Sequence, residues 1–339
     1  MVTDGIRKEA ERGARLTEGL HLYAQVTIGL CLFLTEWAGT PGWISILLTL
    51  PWLLLCLVLR KRVKARPGKT AWLIAAVAAW LDGALAYYAL CVLCRGLLPD
   101  RNPWLVAGML AAFAIAAGGR CGVFPILARP VAPLIIVPLL YCAGAALPHA
   151  RVGHLFPLLG RGGASIGWAA VWMCGCVSTA ALPASPWKTG DGHSSPGTIV
   201  AFLIAGAATA LLYALLLPYL ALTRADGLAE KWMLPTHLSG PIAIWPLLIM
   251  ALLLLLFFSL SFSLARTADA LARAQGRFSP SRLTVCVPAL LMLPLGAVMT
   301  AGVRQALIVS SPIRAMLTLA LLMGLNLKKS PVKGAEHHA

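Results

Sequence analysis

Long apolar runs recur from Leu20 almost to the C-terminus, and the hydrophilic gaps between them are about 20 residues or shorter. Runs of this length are either helices of a large buried core or membrane spans, which need about 17–25 residues each. Composition decides between them. Of 339 residues, 59% are hydrophobic and only 12% charged, against about 25% charged in a soluble domain, and mean hydropathy is +0.82. The sequence therefore reads as an all-α polytopic membrane protein. Hydrocarbon offers the backbone no partner, so each run must close its hydrogen bonds internally as a helix.

Candidate segments fall at about 21–38, 43–59, 71–93, 104–119, 130–147, 164–182, 198–221, 241–265, 283–302 and 312–327, making ten. The charged MVTDGIRKEAERGARLTEGL, residues 1–20, leads straight into an apolar run without a small-residue cleavage pattern, so it is expected to stay attached as a cytoplasmic segment. Residues 21–327 then form the membrane domain and 328–339 a cytoplasmic tail. With both termini inside, 20 of the 28 basic residues fall on the inner side, six of them in RKRVKARPGK, Arg60 to Lys69. Arg304 and Arg314 count among the outer eight, the stretch from Arg304 to Pro312 being either a short loop or part of a bent helix. This is the bias that fixes topology.

The net charge of +16 is thus spread between spans, where it orients the chain and meets membrane lipids. No nucleic-acid partner is expected. The nine cysteines are scattered and show no zinc or iron–sulfur spacing, so they read as small buried hydrophobes. No metal, cofactor or catalytic residue is expected: there is no nucleophile–base pair or phosphate loop, and the chain does not read as an enzyme.

Two acids interrupt apolar sequence. Glu36, near the outer end of the first segment, reads as an interfacial carboxylate or as an outer gate that attracts cations. Asp82 is the stronger anomaly, because it sits in the middle of AAVAAWLDGALAYYAL. An ionised, unpaired carboxylate there costs several kcal/mol, so it must face a cavity or a partner, or be protonated. A cation- or proton-linked role and a structural hydrogen bond are both open, with Tyr87 and Tyr88 able to supply hydroxyls. Prolines (among them Pro51, Pro138, Pro288 and Pro294) and glycines such as Gly29 and Gly175 interrupt the spans. Such breaks serve transporter binding sites or close helix packing.

The stretch AAGGRCGVFPILARPVAPLIIVPLLYCAGAALPHARVGHLFPLLGRG, Ala116 to Gly162, resembles the spore germination permease family, the integral B subunits of germinant receptors. The likeness rests on Arg120 and Gly122, then Ala128–Arg129 before a hydrophobic helix, then LFPLLGRG. Ile28–Gly29, the Trp43-led second segment and Trp245 at the start of the long eighth segment extend it along nearly the whole chain. The chain lacks the proline usual after the Ile–Gly and the Arg with an acidic partner usual before helix eight.

The resemblance implies a ten-helix fold of the amino acid–polyamine–organocation superfamily, built of two inverted five-helix repeats with helices one and six unwound near the membrane centre. It further implies the sensing of a small germinant such as an amino acid, beside an A subunit and a lipoprotein C subunit in the inner membrane of the spore. On that fold Thr27, Ile28 and Gly29 would present backbone groups to a ligand carboxylate, aided by the half-helix dipole. Gly175 would permit close approach, and Ser178 and Thr179 would add hydroxyls. Asp82, Glu36 and Tyr87 are the candidates for ion coupling or gating. Three functions are in view: a germinant-sensing subunit, an ion-coupled secondary transporter of amino acids or related amines, and a structural subunit whose ligand site has decayed.

Overall fold

The computed structural model describes residues 2–30, 41–63, 67–97, 108, 123–156, 162–182, 196–222, 245–277, 279–297 and 301–327, and every regular element among them is helical. In chain order these are α1 (Val2–Gly29), α2 (Gly42–Leu48), α3 (Leu50–Arg62), α4 (Lys69–Leu97), α5 (Phe124–Ala146), α6 (Gly163–Ser178), α7 (Pro196–Leu222), α8 (Trp245–Ala274), α9 (Arg282–Ala297) and α10 (Ala301–Leu327). Three short 3-10 turns accompany them, at Leu147–His149, Val152–Leu155 and Thr179–Ala181. The expected segment at 104–119 lies outside the described residues, save for Gly108.

Among the described residues, six helices are long and apolar enough to cross a membrane: Gly42–Arg62, Lys69–Cys94, Phe124–Tyr141, Pro196–Leu215, Ile249–Ala274 and Gly302–Asn326. The first of these is α2 and α3 in series. Pro51 lacks the N–H a continuous helix needs, and the chain steps at Thr49, whose hydroxyl donates to the Ile46 carbonyl at 2.6 Å. α6 and α9 are apolar but shorter. The helices suit a multi-pass membrane protein.

Two helices extend beyond the segments read from the sequence. α1 begins at Val2, ahead of the first expected segment at 21. Residues 2–20 contain three Glu and three Arg, good helix formers, and no proline to break the helix. The side chains of α1 are buried without a gap from Thr17 to Leu30. At the other end, α10 runs unbroken from Ala301 through Pro312. The stretch from Arg304 to Pro312 is helix, and Arg314 lies within a helix long and apolar enough to cross a membrane.

α4 and α8 form the centre. In each, 78% of the apolar window is buried, against 22% in α5 and 33% in α7, and they pack along one another more extensively than any other described pair. Their close approach passes Gly83, where a Cβ would stand 2.8 Å from Met292 of α9 and 3.3 Å from the Ser263 side chain of α8. α1 lies against α5, α7 and α8, while α10 lies against α6 and α4. α5, α9 and α10 turn large apolar residues outward, including Ile126, Leu140, Leu290 and Met316. A continuous apolar exterior of this kind suits lipid.

α6 and α10 meet most closely at Gly175, where a Cβ would lie 1.9 Å from the Ser311 carbonyl oxygen. This gives Gly175 the packing role. Gly175→Ala is expected to lower stability by about 1–3 kcal/mol, the usual cost of overpacking. Gly167→Ala, on the same helix with nothing within 4 Å, should leave it unchanged or slightly raised. Thermal unfolding of the two variants in detergent, side by side, measures the contrast.

Candidate functional site

Five helices converge on one buried polar cluster. α1 contributes His21 and Gln25, one turn apart and hence on one face. α4 contributes Asp82, α6 Cys176, α8 Ser259, and α10 Ser311 and Arg314; all are buried. The Arg314 Nη1 donates to Asp82 Oδ1. Its Nη2 donates to Ser311 Oγ at 3.1 Å and faces Cys176 Sγ at 3.7 Å. On the other side of the carboxylate, His21 Nε2 stands 3.5 Å from Asp82 Oδ2. His21 Nδ1 is 3.0 Å from Ser259 Oγ, which also accepts from Gln25 Nε2 at 3.2 Å. Gln25 Nε2 further reaches the Asp82 backbone carbonyl at 3.3 Å. The Phe262 ring closes the cluster, edge-on to His21 at 5.1 Å between centroids.

With His21 neutral, the cluster carries no net charge. Taking each ion out of water costs several kcal/mol, and only close pairing with further hydrogen bonds offsets it. Arg314 is the largest fully buried side chain among the described residues, and its partner is the acid that the sequence marked as anomalous.

Below this cluster, towards the Arg60 end of α3, a second group holds the end of α6. The last carbonyls of a helix lack intrahelical partners and carry the negative end of its dipole. Here the helix tightens into the 3-10 turn Thr179–Ala181. Arg266 of α8 donates to the Thr179 carbonyl at 3.1 Å and Arg60 of α3 to the Ala180 carbonyl at 3.5 Å. Arg60 also grips Glu18 of α1 with two bonds, at 3.0 and 3.3 Å. Arg266 lies 5.3 Å over the Phe262 ring, tying the two groups together.

The expected ligand residues fall at two levels of the bundle: Arg60 ties Ala180 to Glu18, about 16 Å of helix before Gly29. α1 ends at Gly29, and α1 touches both α6 and the 3-10 turn that follows it. Ile28 is fully buried, and Thr27 donates to the Tyr23 carbonyl at 2.8 Å, a bond within its own helix. Ser178 donates to the Cys174 carbonyl and accepts from Trp52 Nε1 at 2.7 Å. Thr179 is buried and its hydroxyl makes no hydrogen bond. Tyr87 does not join Asp82: five residues on, it points roughly 140° away around α4, its hydroxyl buried without a hydrogen bond. Glu36 lies outside the described residues.

His21, Gln25 and Arg314 were not singled out from the sequence. Arg314 had a signal: an arginine in apolar sequence is as costly as Asp82, and two such residues of opposite sign are candidates for one another. No protein-family model matches the chain, and no curated protein is similar to it. Among the described residues, no group of His, Cys, Asp and Glu is arranged to hold a metal ion.

Asp82→Asn and Arg314→Gln should each cost about 3–5 kcal/mol, since either leaves a buried charge alone. The double variant should lose clearly less than the sum. Unfolding of all four proteins in a double-mutant cycle reads the coupling directly.

Proposed function

We propose that the chain is a membrane subunit of the germination permease type, which senses a small germinant, an amino acid being the best fit, at the breaks that follow α1 and α6. Two helix ends support this reading: α1 stops at Gly29, and α6 turns to 3-10 at Thr179. These are the two places where the resemblance puts the unwound helices. A zwitterion needs donors for its carboxylate and acceptors for its ammonium, and the resemblance assigns both to backbone groups at the two helix breaks.

The wider architecture of the proposal is ten spans in two inverted five-helix repeats. Under that scheme the first span corresponds to the sixth and the third to the eighth. Contact of α1 with α6 and the long contact of α4 with α8 are in keeping with it. The proposal further places the chain in the inner membrane of the spore with both termini cytoplasmic, assembled with an A-type subunit and a lipoprotein C-type subunit.

A second reading, an ion-coupled transporter of amino acids or amines, is favoured by the buried Asp82–His21–Arg314 cluster. The two separate by experiment. A sensor raises its melting temperature with one amino acid of a panel but does not accumulate it in proteoliposomes; a transporter accumulates it under an ion gradient. In either case Thr179→Val should weaken the response by about tenfold or more, the worth of a hydrogen bond to a charged group. Spores lacking the gene should lose one germination response. If every response survives the deletion, the sensor reading fails.

A further inference from the structure

The geometry points to a proton site at His21 whose occupation competes with Arg314 for the single carboxylate of Asp82. This inference holds whether the chain senses or transports. Asp82 offers two oxygens to two helices. Oδ1 accepts from Arg314 of α10, whereas Oδ2 has no hydrogen bond and stands 3.5 Å from His21 Nε2 of α1, which has none either. Both atoms are buried, and the Thr179 hydroxyl is the other polar group beside the carboxylate.

The result does not depend on which tautomer the neutral ring adopts. If Nε2 carries the hydrogen, Ser259 donates to Nδ1, and an incoming proton enters at Nδ1 as the hydroxyl turns to accept. If Nδ1 carries it and donates to Ser259, the proton enters at Nε2. Either way the imidazolium presents an N–H to Asp82 Oδ2, because a charged histidine donates from both nitrogens. Ser259 can receive the other N–H beside that of Gln25, a hydroxyl oxygen having two lone pairs.

The charges around the ring are Asp82 of α4, Arg266 of α8 and Arg314 of α10. α6 adds the Cys176 thiol, which faces Arg314. α7 meets α1 with Phe202 and Gly206, and α5 packs on the Phe262 ring through Phe124; none of these is ionisable. Proton uptake therefore places a third cation around one carboxylate in a site without solvent. Arg314 retains neutral acceptors on its own side, Ser311 Oγ and Cys176 Sγ, and His21⁺ takes the larger share of Asp82. The tie of α4 passes from α10 to α1.

The full-length protein in lipid nanodiscs provides the test, taken from about pH 8 to about pH 5, where an imidazole changes charge. Amide exchange along α10 around Ser310–Arg314 is followed together with the nitrogen-15 resonances of the histidine rings, His21 being assigned by its loss in His21→Gln. In the wild type, a histidine resonance assigned to His21 should titrate, and α10 should lose about tenfold in protection with the same midpoint. His21→Gln should abolish the pH response of α10, and Ser259→Ala, which keeps the ring but removes its Nδ1 partner, should move the shared midpoint. An α10 response that persists in His21→Gln overturns the proposal, as does a wild-type α10 whose exchange is indifferent to pH. Should His21→Gln fail to fold, separate midpoints for the ring and for α10 in the wild type overturn it equally.

Discussion

The pairing of Asp82 with Arg314 is the interaction on which the centre of this protein depends. A carboxylate and a guanidinium are each intolerable alone inside a membrane bundle, and together they are tolerable only if their geometry is held. That requirement fixes the helices around them. α4 and α10 must lie within reach of one another, α6 must come close enough for Cys176 and Ser311 to flank the guanidinium, and Gly175 makes room for that approach. α1 and α8 close the other side with His21, Gln25 and Ser259. The apolar packing supplies most of the contact area, but helices in lipid slide and rotate easily over apolar surface. A charged pair does not.

Much of the fold was legible because it follows from length and apolarity. Spans announce themselves by what they exclude, and the helices stand where the apolar runs do. The polar interior was only half legible, and the reason is physical. Asp82 stood out because its neighbours in sequence are apolar on both sides. Arg314 has the same surroundings but lies just beyond Pro312 and a polar step at Ser310–Ser311, which made it look like the edge of a loop. A proline can lie inside a membrane helix when neighbouring helices satisfy the freed groups, and here α6 lies against that very turn, with Ser311 donating to the Trp172 carbonyl. His21 and Gln25 sit where charged sequence gives way to apolar sequence, a position that suits the interface equally well. Only the packing of α8 against α1 shows that they face inward.

The end of α6 is held by its surroundings. A ligand site made of backbone needs helix termini whose groups are free to turn towards it. The carbonyls of Thr179 and Ala180 are instead occupied by two arginines drawn from α8 and α3. The end of α6 is thus held by its carbonyls, while the buried Thr179 hydroxyl lies beside Asp82.

The continuity of α1 has a mechanical consequence. It is one helix of 28 residues, about 42 Å long at 1.5 Å per residue. Near its middle it is pinned twice, by Gly13 pressed on the Pro125 backbone and by Glu18 in the grip of Arg60. The arms beyond those pins are about equal, roughly 17 Å each. A stiff rod attached at two separate points keeps its direction, so α5 and α3 fix the angle at which α1 carries His21 and Gln25 into the polar cluster.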